Sequence, residues 1–81
     1  MKYNKYLINK LLNRKHLTYK ELIELAEDAE YEFSGKTGSH VKYKHVKYPI
    51  VIIVVSKHSN SLFQKNVIDI LKYVYQNIGE L

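Results

Sequence analysis

The run at residues 50–56 constrains the fold of this 81-residue chain more than any other feature. It is rich in β-branched residues, which favour a strand. Successive side chains of a strand point to opposite faces, so both faces of this strand are apolar. One face carries Ile50, Ile52 and Val54, and the other carries Val51, Ile53 and Val55. Such a strand has to be covered on both sides.

Two helices are predicted before the strands. Apolar residues recur at helical spacing within residues 3–13, which predicts a first helix. Thr18 and Glu21 have the spacing of a capping box, in which each side chain accepts the other residue's amide. A second helix is therefore predicted to begin at Thr18 and to end near Glu30.

A third helix is predicted near the end of the chain. Ser61 and Gln64 repeat the capping-box pattern, and an apolar stripe at helical spacing follows as far as Ile78. Gly79 can stop this helix, because glycine readily adopts the left-handed conformation found after many helices.

Three strands are predicted between the second and third helices. They cover residues 31–33, 39–46 and 50–56, with a glycine turn at 35–38 and a break at 47–49. Short connections favour an antiparallel meander, so the predicted class is α+β with the order α-α-β-β-β-α. The second and third helices are expected on one face of the sheet. The N-terminal helix is expected on the other, with a second copy of the chain in a homodimer as the next choice.

The charges are separated along the chain, although the formal net charge is only +5. Residues 1–20 hold six Lys or Arg and no acid, residues 21–32 hold six acids, and residues 33–68 hold six lysines and no acid. This predicts a basic surface apart from an acidic one. A basic surface concentrates polyanions such as nucleic acid, but surface lysines also simply keep a protein soluble.

Composition excludes several classes of protein. The chain has no cysteine, so a disulfide scaffold and a cysteine-based zinc site are excluded. The longest apolar run is far below the ~20 residues that span a bilayer, and the basic N-terminus is not followed by the apolar run of a secretory signal. A cytoplasmic protein without membrane contact is expected.

The predicted second strand carries the most informative polar residues. Alternation places His40, Lys42 and Lys44 on one face, while Val41 and Tyr43 face the core. RNA cleavage requires proton transfer from the 2′-hydroxyl and to the 5′-oxygen, for which histidine is suited, and charge neutralisation at phosphorus, for which lysine is suited. The alternative is that His40 is only a polar residue beside a turn.

Residues 18–78 resemble the HicA family, the ribonuclease halves of bacterial toxin–antitoxin pairs. The resemblance is carried by the helix at 19–25, the run at 31–33, the segment Lys36-Thr37-Gly38-Ser39-His40, its continuation Tyr43-Lys44-His45, and the helix at 67–72. The length of 81 residues predicts one domain over 1–81. The resemblance implies that residues 1–17 extend an α-β-β-β-α core at 18–78 like that of double-stranded RNA-binding domains.

The same resemblance implies an endoribonuclease that cleaves mRNA with His40 as its catalytic residue. It also implies inhibition by a HicB-like antitoxin that covers this histidine. The residues predicted to contact RNA are Lys36, Ser39, Lys42, Lys44, Lys57 and His58.

The other histidines are given smaller roles. His58 could approach His40 as a second proton-transfer group, or be a solvated loop residue. His45 is expected at the core or its rim, with a structural role, and His16 on the surface. No histidine pair has a zinc-binding spacing, so neither a metal nor a cofactor is predicted.

Two other functions are also compatible with the sequence. The basic segments and the order of elements equally suit a non-catalytic module that binds RNA or DNA, in which Lys57 and Lys65 could contact phosphates. An interaction protein without a nucleic-acid role is the third choice, with the doubly apolar strand and the acidic helix as its docking surface.

Overall fold

The computed structural model of the chain describes residues 3–13, 16–55 and 61–80. Within these residues it is an α+β protein, and the predicted order α-α-β-β-β-α is confirmed. The elements are α1 (Lys5–Leu12), α2 (Tyr19–Asp28), β1 (Glu32–Thr37), β2 (His40–Lys44), β3 (Ile52–Val55) and α3 (Ser61–Ile78). No helix in the described ranges combines the length and apolar character that crossing a bilayer requires.

The predicted capping box begins α2. The Glu21 amide donates to the Thr18 hydroxyl at 3.2 Å, and the Thr18 amide donates to the Glu21 carboxylate at 2.9 Å. These bonds satisfy amides that have no partner inside the helix. Helix α3 begins at Ser61 as predicted, but the side chains of residues 61–64 lie outside the described part, so its capping box stays a prediction.

Helices α2 and α3 end in the same way but with different residues. A left-handed residue follows each helix: Gly79 at φ +93° comes directly after α3, and Glu30 at φ +71° comes two residues after the end of α2. In each case a later amide reaches back into the last turn, from Tyr31 to Ala26 at 2.9 Å and from Glu80 to Tyr75 at 3.0 Å. Gly79 ends α3 as predicted, whereas α2 has a glutamate where glycine is favoured.

The prediction of a turn at residues 35–38 was wrong. Residues 35–37 continue β1, and the hairpin turn is Thr37-Gly38-Ser39-His40, with Thr37 paired to His40. Gly38 has φ +60° and Ser39 is not left-handed, as in a two-residue type II′ hairpin. β2 therefore starts at His40, one residue later than expected, and stops at Lys44.

A bulge in β1 changes which of its residues share a face. The register shifts between Phe33 and Gly35, so Phe33 lies opposite Tyr43 and Gly35 lies opposite Lys42. An extra residue in one strand reverses the alternation beyond it. Thr37 is thereby placed on the same face as His40.

The helices cover one face of the sheet, which we call the inner face. It carries Val41 and Tyr43 of β2 with Ile52 and Val54 of β3, all buried. Helices α2 and α3 pack against β3, and β1 lies at the open edge beside β2. The opposite, outer face carries His40, Lys42, Lys44 and Ile53.

The prediction that the N-terminal helix covers the outer face was wrong. Helix α1 packs against α2 and α3, and its Leu7, Ile8 and Leu11 join the main core. Its polar residues meet the acids of α2 and the chain end: Lys10 contacts Glu21 at 3.0 Å, Asn4 contacts Glu24 at 2.8 Å, and Lys5 pairs with Glu80. The described residues leave the outer face uncovered: Ile53 is 37 % exposed and Ile52 is 0 % exposed.

Candidate active site on the outer face of the sheet

His40 stands at the first position of β2, on the outer face. Its backbone pairs with Thr37 on one side and with Val55 on the other, so the residue is held between two strands. Its side chain is exposed. The two-residue turn at Gly38 and Ser39 fixes the start of the strand and hence the position of the imidazole.

Lys42 and Lys44 follow His40 on the same face, as the alternation predicted. Both side chains are exposed, while Val41 and Tyr43 between them are buried. The two lysines differ in their cross-strand neighbours. Glu32 lies opposite Lys44, whereas Gly35 lies opposite Lys42. A carboxylate beside Lys44 offsets part of its charge, so the His40 end of the face is the better anion site.

A pocket of about 310 Å³ opens beside His40, and we call it the His40 pocket. It is lined by Ser34, Gly35, Lys36, Thr37, His40, Lys42 and Ile53. Three predicted site residues, His40, Lys36 and Lys42, meet there. None of the described residues that line it is acidic. Its ionisable side chains are the ammonium groups of Lys36 and Lys42, which are cationic, and the imidazole of His40, which is cationic when protonated.

Four lining residues were not predicted as site residues. Thr37 and Gly35 enter through the β1 register, opposite His40 and Lys42, and Ser34 enters through the bulge. Ile53 comes from the outer side of β3, one of the two apolar faces that the alternation identified, although both faces were expected to be covered. The hairpin signal Gly38-Ser39 could have revealed Thr37, because glycine at the first central position fixes a two-residue turn.

The remaining predicted contacts do not line the His40 pocket. Ser39 lies in the hairpin turn and is half-buried. Lys44 lines a second pocket of about 470 Å³ with Glu32, Phe33, Ser34, His45 and Val46. Lys57 and His58 lie outside the described residues, so their predicted roles stay predictions.

His45 is structural, as predicted. Its Nε2 lies 2.9 Å from the carbonyl oxygen of Ala29 at the end of α2, and its Nδ1 accepts the amide of Lys47 at 2.9 Å. A nitrogen that accepts an amide carries no proton, so Nε2 must be the donor to Ala29. The ring also packs edge-on against Tyr31 and Tyr48, both at 4.9 Å between centroids. These bonds commit both nitrogens of His45 to the fold.

Buried tyrosines likewise serve the core. Tyr75 is fully buried and its hydroxyl donates to the carbonyl of Leu25 at 2.7 Å. Burial raises the pKa values of the Tyr75, Tyr43 and Tyr31 hydroxyls above their ordinary range. Tyr43 and Tyr75 therefore pack in the core. Tyr48 is also buried, whereas Tyr73 is half exposed.

The geometry defines a small α+β protein with a cationic, histidine-bearing pocket on an uncovered sheet face. In the described ranges, no three His, Asp or Glu side chains are grouped closely enough to hold a metal ion. Comparison with models of known families, with curated proteins and with solved structures gives no match. The geometry and charge of the His40 pocket are therefore the basis for a functional proposal.

Proposed function

We propose that this chain is a metal-independent endoribonuclease toxin of the HicA type, which cleaves mRNA with His40 as its catalytic residue. The observation that carries the proposal is the position of His40 at the wall of a pocket shared with Lys36 and Lys42, with no acidic residue among the described residues that line it. An imidazole transfers protons near neutral pH, and ammonium groups stabilise charge on a phosphoryl group.

In this mechanism His40 accepts the proton of the ribose 2′-hydroxyl. The 2′-oxygen then forms a bond to phosphorus while the bond from phosphorus to the 5′-oxygen breaks, and the departing 5′-oxygen takes a proton from water. Lys42 neutralises the charge that builds on the non-bridging oxygens. The products are a 2′,3′-cyclic phosphate and a 5′-hydroxyl end.

The proposal includes a partner and a location. A HicB-like antitoxin would inhibit the enzyme in the cytoplasm by covering His40. The exposed apolar residues Val51 and Ile53 beside the cationic residues support a protein partner on the outer face, because exposed apolar surface is typical of docking sites. A second copy of the chain is the other occupant that such a surface could take.

The test uses the full chain and single-stranded RNA in the presence of EDTA. We expect internal cleavage that leaves cyclic phosphate ends. DNA of the same sequence is the matched control and should stay intact, because it lacks the 2′-hydroxyl. A strict requirement for added metal, equal cleavage of the DNA, or no cleavage of RNA would contradict the proposal.

The second candidate function is non-catalytic binding of RNA or DNA. It is favoured by the exposed cations Lys36, Lys42 and, on α3, Lys65. It predicts affinity that falls steeply with salt, no strand scission, and binding unchanged in His40→Ala. Scission that depends on the 2′-hydroxyl would exclude it as the whole function.

A further inference from the structure

We propose that the His40 pocket holds the base of one unstacked ribonucleotide, and that Gly35 sets the room available to that base. The proposal rests on the ribonuclease function above. It names the substrate class as single-stranded RNA and adds a specificity-determining residue to the site.

The position of the pocket relative to the phosphate-binding groups is the first argument. His40 and Lys42 form part of its wall, so a phosphate held between them has the pocket immediately beside it. The nucleoside attached to that phosphate must then enter the pocket or be pushed away from the sheet. A base can enter only if it is neither paired nor stacked, which single strands allow and duplexes do not.

The size and lining of the pocket are the second argument. Its volume of about 310 Å³ is at the low end of the ~300–1,000 Å³ typical of small-molecule sites, which suits one nucleoside and not a helical groove. Ile53 supplies an apolar surface for the face of a base. The hydroxyls of Ser34 and Thr37 can donate to or accept from its edge.

The glycine at position 35 is the third argument. A Cβ at Gly35 would meet no atom of the described residues within 4 Å beyond its chain neighbours, and the φ of Gly35 is outside the left-handed region, so neither space nor φ requires glycine there. Glycine within a strand costs stability and often marks either a bulge, such as the one between Phe33 and Gly35, or a close approach of a ligand. Position 35 pairs with Lys42, whose side chain is on the outer face. A side chain at position 35 would therefore also lie on the outer face, inside the His40 pocket.

The experiment compares Gly35→Ala and Gly35→Leu with the wild type. The substrates are DNA oligonucleotides that contain a single ribonucleotide, with its base either present or removed. We expect Gly35→Leu to lower kcat/KM by about tenfold or more on the substrate with the base, and Gly35→Ala to lower it less. Without the base, the wild type should be slow already and Gly35→Leu should slow it no further.

Two controls accompany this comparison. One variant adds bulk outside the pocket, and the melting temperature shows whether Gly35→Leu damages the fold. Val46→Leu enlarges a fully exposed apolar residue that does not line the His40 pocket, and should leave kcat/KM unchanged. The melting temperature of Gly35→Leu should not fall below that of the wild type, because the new side chain meets open space.

The outcomes distinguish this inference from the function on which it rests. Wild-type cleavage together with an undiminished rate for Gly35→Leu, or with equal losses on both substrates, would overturn the nucleoside assignment alone. No cleavage of either substrate by the wild type would overturn the ribonuclease proposal and this inference with it.

Discussion

Lys42 lies two residues after His40 on β2, and both side chains stand on the outer face while Val41 between them is buried. Two residues of a strand span roughly 6.6 Å, so one phosphate can lie between the imidazole and the ammonium group. The next cation on this face, Lys44, faces Glu32 across the strand pair. The phosphate site should therefore depend on Lys42 much more than on Lys44.

Replacing these two lysines in turn tests that difference. Lys42→Gln should lower kcat/KM for single-stranded RNA by about a hundredfold, because charge on phosphorus loses its neighbouring cation. The matched change Lys44→Gln should lower kcat/KM by less than about tenfold, since the neighbouring carboxylate of Glu32 already offsets part of the charge of Lys44. Rates are measured in EDTA at one ionic strength. Equal losses for both variants would contradict the assignment of Lys42.

The end of α2 offers a prediction about stability. Glu30 is left-handed at φ +71°, a conformation that costs a residue with a Cβ roughly 1–2 kcal/mol. Glu30→Gly should therefore raise the free energy of unfolding by about 1 kcal/mol, measured by urea denaturation. The reverse change at the end of α3, Gly79→Ala, should lower it by a similar amount. A loss of stability in Glu30→Gly would show that the glutamate side chain contributes more than its backbone costs.

The contact between α1 and α2 predicts a dependence of stability on pH. The Thr18 amide and the Lys10 ammonium group hold the pKa of Glu21 below its ordinary value of 4.5. A carboxylate with a lowered pKa stabilises the folded state above its unfolded-state pKa, and the contribution is lost as the pH falls through the lower, folded-state value. Ionised Glu21 therefore stabilises the fold fully at pH values above 4.5, and its contribution declines progressively as the pH falls further.

Glu21→Gln isolates this contribution, because glutamine keeps the capping box but carries no charge. The variant should be less stable than the wild type by about 0.5 kcal/mol at neutral pH, and the difference should close as the solution is acidified through pH 4 and below. Glu27→Gln, an exposed change on the same helix, is the control and should show no such convergence. A gap between Glu21→Gln and wild type that persists unchanged in acid would contradict the ion-pair explanation.

Local patterns predicted most of the fold. The capping box at Thr18, the stop at Gly79 and the alternation of His40, Lys42 and Lys44 depend on neighbours close in sequence, and the structure confirms each of them. The α+β class followed from the order of such elements. These features are predictable because short-range hydrogen bonds and strand pleating determine them.

The pairing of distant segments was less predictable. The bulge between Phe33 and Gly35 leaves no simple alternation in β1, so the sequence did not reveal that Thr37 and Gly35 share the His40 pocket. The position of α1 was missed for a related reason. Its apolar residues indicate only that it packs somewhere, and the contacts of Lys10 with Glu21 and of Asn4 with Glu24 are made only when α1 packs beside α2.

The rate of RNA cleavage by His40→Ala is the sharpest test of His40 as the catalytic residue. His16→Ala, which removes an exposed histidine before α2, is the matched control, and circular dichroism establishes that both variants are folded. We expect the cleavage rate of His40→Ala in EDTA to be about a thousandfold lower, while His16→Ala cleaves like the wild type. Cleavage at the wild-type rate by a folded His40→Ala protein would contradict the catalytic role of His40.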